Sequence, residues 1–288
     1  GGSKMFVHVG DRVRVEDLLR GIIIQSGNDA CVVVAEALAG SEEAFARQMT
    51  GRAAELGLTN SRFANAWGDD HPDHVMSVRD LATITSLIIR RFPDYLHFYS
   101  EPEFTYANIK QQNRTPLLRA GVPGVDGMKT GHTSQAGYGL VATAARDGRR
   151  LILVVAGLET ERQRRAEAER LLEHGFRDFQ EYRLFPSGTP IAEAAVWLGA
   201  SRRVPLVAPD LVAVTLTREA RATLEVTLRY DEPVVAPVAK GDQVGEILIR
   251  ASGEERQRVP LVAAADVERA GILGRITGVV GHLVLGGS

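Results

Sequence analysis

The chain has 288 residues, 44% of them hydrophobic and 24% charged, with a net charge of −2 and a single cysteine, Cys31. That length holds roughly two globular domains, each with its own core, and the composition excludes a disordered chain. The near-neutral balance lacks the basic footprint that a nucleic-acid partner requires, and one cysteine excludes an internal disulfide framework.

The chain opens at Gly1, no initiator, and Phe6-Val7-His8-Val9 resembles the inside of a domain; without the apolar core of a signal peptide before it, the chain reads as a fragment. Residues 15–24 predict a helix, because Leu18, Leu19, Ile22 and Ile23 recur near the three-to-four spacing of one buried face. The helix breaks at Gln25-Ser26-Gly27. Asn28 or Asp29 then caps a second helix over residues 30–38, which ends at Gly40. Ser26 and Asn28 therefore fall on a tight turn between two apolar helices, where polar side chains need partners. Cys31, within Ala30-Cys31-Val32-Val33-Val34, reads as a small buried hydrophobe.

Further helices are predicted over residues 42–56, closed by Gly57, and 78–91, closed by Pro93. Between them, Asp69-Asp70-His71-Pro72-Asp73-His74 offers metal-ligand types but lacks a helical His-Glu-x-x-His frame. It reads as a solvated loop, and no metal or other cofactor is expected. Three strands follow over 124–133, 138–146 and 149–158, the last two joined by Asp147-Gly148, and then a helix over 162–181. Together these predict an α+β first domain over residues 1–181, an antiparallel sheet flanked by helices.

From Tyr182 the pattern changes to short β-branched runs at 194–198, 212–216, 222–230, 243–250 and 258–263. These predict a small all-β sandwich over 182–266. Residues 267–285 carry Ile272, Ile276, Val279 and Leu283 on one helical face, with Arg275 near the middle. A spanning helix rarely tolerates that arginine, so an amphipathic helix lying on a membrane surface is the sharper reading. The other is a helix packed on the β domain, aided by its small residues.

The chemistry lies in Lys129-Thr130-Gly131-His132-Thr133 and in Ser26-Gly27-Asn28 upstream. A serine that attacks an amide needs a group to take its proton, one to protonate the leaving amine, and oxyanion donors. Ser26 suits the proton return. Lys129 supplies an ammonium that attracts a terminal carboxylate, and Thr130 a hydroxyl for the same group. Gly131 leaves room for an acyl chain along the strand edge, His132 offers a backbone N–H to the oxyanion, and Asn28 holds the substrate amide.

These two motifs, with Ser77-Val78-Arg79-Asp80-Leu81 and Leu171-Leu172-Glu173-His174-Gly175-Phe176, resemble the penicillin-binding D-alanyl-D-alanine carboxypeptidases over essentially the whole chain. The resemblance implies a serine β-lactamase/DD-peptidase-like catalytic domain, removal of the terminal D-alanine from peptidoglycan stem peptides through an acyl-enzyme, and acylation by β-lactams. It also implies a place at the periplasmic face of the membrane, held by the C-terminal helix, and carboxylate binding by Arg164, with Arg114 lining the cleft. The family's first motif, Ser-x-x-Lys, occurs nowhere in the 288 residues. The chain as given is therefore expected to be inactive. A D,D-endopeptidase or β-lactamase of the same fold, or a non-catalytic peptidoglycan-binding protein, are the alternatives.

Overall fold

The computed structural model describes residues 2–271, and its contacts divide the chain into two compact units, one ending at Phe176 and the other beginning at Arg177. The first unit opens with an extended segment that leads into helices α1 (Val15–Ile23), α2 (Asn28–Ala39) and α3 (Glu42–Glu55). The position before α2 is held by Gly27 with no side-chain cap, so Asn28 and Asp29 lie inside the first turn and not ahead of it as the sequence suggests. The reason is local: Asp29 spends its oxygens elsewhere, on backbone N–H groups of residues 5–7. Ser41 does cap α3, accepting from Ala44 N at 3.1 Å.

The short strands β1 (Ser61–Arg62) and β2 (Val75–Met76) pair across the intervening loop and lead into α4 (Val78–Arg91). Ser77 caps α4, and the buried Asp80 accepts from Asn60 N at 2.9 Å and Ser61 Oγ at 2.7 Å. After α5 (His97–Ser100) comes a hairpin, β3 (Glu103–Tyr106) and β4 (Ile109–Gln112), and then α6 (Pro116–Arg119). The predicted three-stranded sheet is present as β5 (Val125–Thr133), β6 (Gly137–Arg146) and β7 (Arg149–Leu158), antiparallel in the order β5-β6-β7.

Helix α7 (Glu161–Asp178) covers this sheet. Its Ala168 and Leu172 pack with Leu140, Ala142 and Ala144 of β6 and with Leu117 and Val122 in one core cluster. The predicted end at residue 181 is three residues too long. Phe179, Gln180 and Glu181 begin β8 (Phe179–Phe185), because pairing with a distant strand outcompetes one more helical turn.

In the second unit β8 pairs with β11 (Val212–Thr217). A six-stranded sheet runs in the order β12-β14-β15-β10-β9-β13, formed by β9 (Pro190–Trp197), β10 (Arg203–Val207), β12 (Glu225–Tyr230), β13 (Val234–Val235), β14 (Gln243–Ala251) and β15 (Glu254–Ala263). One core joins the two sheets: Val212, Val214 and Leu216 of β11 pack with Leu206, Ile247, Ile249 and Leu261. The strand expected from residue 222 begins at Glu225, since residues 218–222 form α8 (Arg218–Ala222), capped by Thr217.

The C-terminal helix expected over 267–285 does not begin at its predicted start. Val267 is buried and exchanges backbone hydrogen bonds with Val238 at 2.8 and 3.0 Å, and Ala270 N donates to Leu198 O at 2.8 Å. Cross-strand partners satisfy this backbone, so it stays extended. Residues 272–285 of that expected helix lie outside the described residues.

Candidate active site

Ser26 and Lys129 stand 103 residues apart in sequence and meet in space: Lys129 Nζ donates to Ser26 Oγ at 2.7 Å and to Thr130 O at 2.9 Å. The serine is placed by the turn between α1 and α2. Ile24 N closes α1 on Arg20 O, and Gly27 N then reaches back to Gly21 O at 2.9 Å. That sharp reversal puts Ser26 at φ 57°, in the left-handed region that non-glycine residues rarely occupy. Lys129 is placed by β5, where it pairs with Val141 of β6, while Thr130, Gly131 and His132 pair with Leu140, Gly139 and Tyr138.

The other expected residues fall around this pair. Gly131 is exposed, and a Cβ built there would meet nothing within 4 Å, so the edge beside it is open. The His132 ring stacks on Tyr138 with centroids 3.9 Å apart. Asn28 is half-buried in the first turn of α2, its backbone N–H donating to Ser3 O at 2.9 Å. Arg164, near the start of α7, is 5% exposed; it lies over the Tyr138 ring at 5.5 Å and pairs with Glu161 at 3.6 Å. Its Nε meets no acceptor among the described residues. Arg114 is exposed on the link between β4 and α6. That link is pinned by the buried Asn113, which donates to Tyr99 O and Glu101 O and accepts from Thr115 N.

Electrostatics binds the group into one surface. Burial pulls Lys129 down to about 8; Cys31 opposes the shift, and the like charges of Arg114 and Arg164 add to it. At pH 7 most of the amine is still protonated. Arg164 thus lies over Tyr138, the cross-strand partner of His132, Arg114 is near enough to act on the Lys129 amine, and a buried guanidinium N–H lacks an acceptor among the described residues; that arrangement suits a carboxylate. The half-buried Cys31 thiol is pushed up to about 11 by burial, with the lysine opposing, so it is not a thiolate nucleophile at neutral pH.

A lysine depressed by burial destabilises the fold while charged. The penalty is fully present below pH 8 and is relieved as pH rises through the folded value toward the ordinary 10.5. Unfolding free energy is therefore expected to rise between about pH 8 and 10.5, and Lys129→Met should flatten that rise, as urea titrations at stepped pH will show.

The loop of residues 69–74 is tied to the protein. His71 Nδ1 accepts from Asp73 N, His74 Nδ1 from Ala64 N, and Asp73 pairs with Arg62. Among the described residues no set of three such side chains is placed to hold a metal ion. Asp70 instead accepts from Ser134 Oγ at 2.8 Å and from Gln135 N, which ties this loop to the tip beyond His132. Sequence reasoning missed this tie, as it missed Asp29, because the partners are hydroxyl and backbone groups that carry no pattern.

Two family models match the chain: D-alanyl-D-alanine carboxypeptidase over residues 1–160 and the C-terminal domain of penicillin-binding protein 5 over residues 179–269. The chain is 40% identical over 277 residues to the D-alanyl-D-alanine carboxypeptidase DacC of Escherichia coli K12, covering 96% of this chain and 69% of that protein. It is similar in structure to penicillin-binding protein 5 of Haemophilus influenzae, with a TM-score of 0.86 at 38% identity over 93% of this chain and 78% of that one. Penicillin-binding protein D2 of Listeria monocytogenes, solved in a cefotaxime-bound form, matches 60% of this chain and 71% of its own with a TM-score of 0.55 at 31% identity. With both parts matched in order, the chain belongs to the serine-type D-alanyl-D-alanine carboxypeptidases, the hydrolases of bacterial cell-wall metabolism that are also known as penicillin-binding proteins.

Proposed function

We propose that the chain supplies the substrate wall and proton-return arm of a D-Ala-D-Ala carboxypeptidase that acts on peptidoglycan stem peptides. The observation that carries this is the 2.7 Å contact between Lys129 Nζ and Ser26 Oγ. In the acyl-transfer step a serine hydroxyl attacks the penultimate D-Ala carbonyl and gives its proton to a neighbouring base. Ser26 passes a proton to the departing D-alanine nitrogen and is resupplied through Lys129. Lys129 and Thr130, with Arg164 behind them and Arg114 at the rim, hold the terminal carboxylate. The His132 N–H stabilises the oxyanion, Asn28 holds the substrate amide, and the open Gly131 edge receives the acyl chain. Water then releases the acyl group. The β-rich second unit is accessory to this chemistry, and the site faces the periplasm at the membrane surface.

Neither the nucleophile nor its base lies within these 288 residues, which contain no Ser-x-x-Lys. Alone, the chain binds carboxylate-terminated ligands without turning them over. The test is labelled benzylpenicillin, read by intact-protein mass spectrometry. No adduct is expected on the chain itself, and one per molecule is expected once a relative's Ser-x-x-Lys segment is joined ahead of residue 1.

A further inference from the structure

The Asp29 carboxylate has no place in the chemistry above, yet it gathers four backbone N–H groups. Met5 N reaches Oδ1 at 2.8 Å, Phe6 N and Val7 N reach Oδ2 at 2.7 and 3.0 Å, and Ala30 N reaches Oδ1 at 3.0 Å. Burial raises its pKa, but these donors outweigh burial, and the net shift is downward.

The segment so held is the outer support of the serine turn. Met5 is fully buried and its side chain packs where a side chain on Gly21 would stand. Its backbone N lies 3.0 Å from where a Cβ on Gly27 would be. Asn28 N donates to Ser3 O at 2.9 Å, and Gln111 Nε2 donates to Lys4 O at 2.9 Å on the other flank. Ser26 sits immediately inside this clamp in its left-handed conformation. A turn left to itself relaxes from that region, since most side chains disfavour it.

We propose that Asp29 is a positioning residue: by gathering the Met5–Val7 backbone onto the first turn of α2, its carboxylate keeps Ser26 Oγ within hydrogen-bonding reach of Lys129 Nζ. The inference rests on the Ser26–Lys129 pair of the proposed function. It concerns the contact and not turnover, so a chain that never hydrolyses a peptide would leave it standing.

The test follows Lys129 itself. The chain has four lysines, Lys4, Lys110, Lys129 and Lys240, so its carbon-13-labelled lysine side chains can be assigned by NMR and titrated one by one. Asp29→Asn keeps the shape of the side chain but replaces one acceptor oxygen with a donor. With the clamp loosened, water reaches the amine, and the Lys129 midpoint is expected to climb by about one pH unit toward the ordinary lysine value. Of the other groups acting on it, Arg114 and Arg164 are untouched, while Cys31 loses the Asp29 charge that helps to raise its pKa. Met5→Ala is the comparison: it empties core volume but keeps every N–H donor, so it should lower thermal stability and leave the Lys129 midpoint in place. An unmoved midpoint in folded Asp29→Asn, or equal movement in Met5→Ala, overturns the proposal. Asp29→Ser decides the matter if Asp29→Asn does not fold, and failure of both to fold would assign Asp29 to the fold alone and overturn it equally.

Discussion

Lys129→Ala should abolish most of the activity of a chain completed with a Ser-x-x-Lys segment, lowering kcat/KM on a D-Ala-D-Ala peptide by about 10²–10³. The reasoning is electrostatic. Lys129 is half-buried and donates to Ser26 Oγ, and in the proposed function its ammonium both returns the proton through that hydroxyl and faces the developing charge. Arg114 and Arg164 remain in the variant; if they hold the carboxylate as proposed, ground-state capture is partly retained and the loss falls mainly on kcat. Stability should move the other way. Burial already disfavours the charged lysine, as its depressed value of about 8 shows, so truncation removes a penalty at neutral pH. A variant that loses less than about tenfold in kcat/KM would remove Lys129 from the proton path.

Leu172→Ala carries the largest expected cost to the fold. Leu172 is 1% exposed and packs from α7 onto Leu140 and Ala142 of β6, the strand paired with the one that bears Lys129. Removing a fully buried leucine from such a cluster costs about 2–5 kcal/mol, the spread depending on how far the site collapses. Urea unfolding should show that loss, and hydrogen exchange should show it concentrated in the amides of β5 to β7. A cost under about 1 kcal/mol would mean that α7 does not support the sheet as its packing implies.

The parts legible in the sequence are those with local causes. The periodicity of α1, the Gly57 and Pro93 that close α3 and α4, the Asp147-Gly148 turn between β6 and β7, and the approach of Ser26 to Lys129 all follow from spacing or motif. The hairpin of β3 and β4 was silent. Its turn places Ala107 and Asn108 at φ 48° and 63°, a geometry usually signalled by Asn-Gly, and Ala-Asn carries no such signal. Strand β8 was hidden behind the helical run of α7, and only its pairing with β11 determines where the helix stops. The extended stretch from Val267 was likewise fixed by Val238 and Leu198, partners far away in sequence. In the site, Arg164 gains its meaning from burial over Tyr138, and Asp29 from backbone donors more than twenty residues away. No single-sequence pattern encodes either.

In the proposed function these residues form one wall of a site that still needs a serine and its lysine base. Incubation with benzylpenicillin and intact-mass measurement test it most directly. The expected result is no added mass on the 288-residue chain, a stoichiometric penicilloyl adduct after a relative's Ser-x-x-Lys segment is joined, and loss of most of that adduct in Lys129→Ala. An adduct on the chain alone would contradict the account, and so would a folded hybrid that takes up no penicillin.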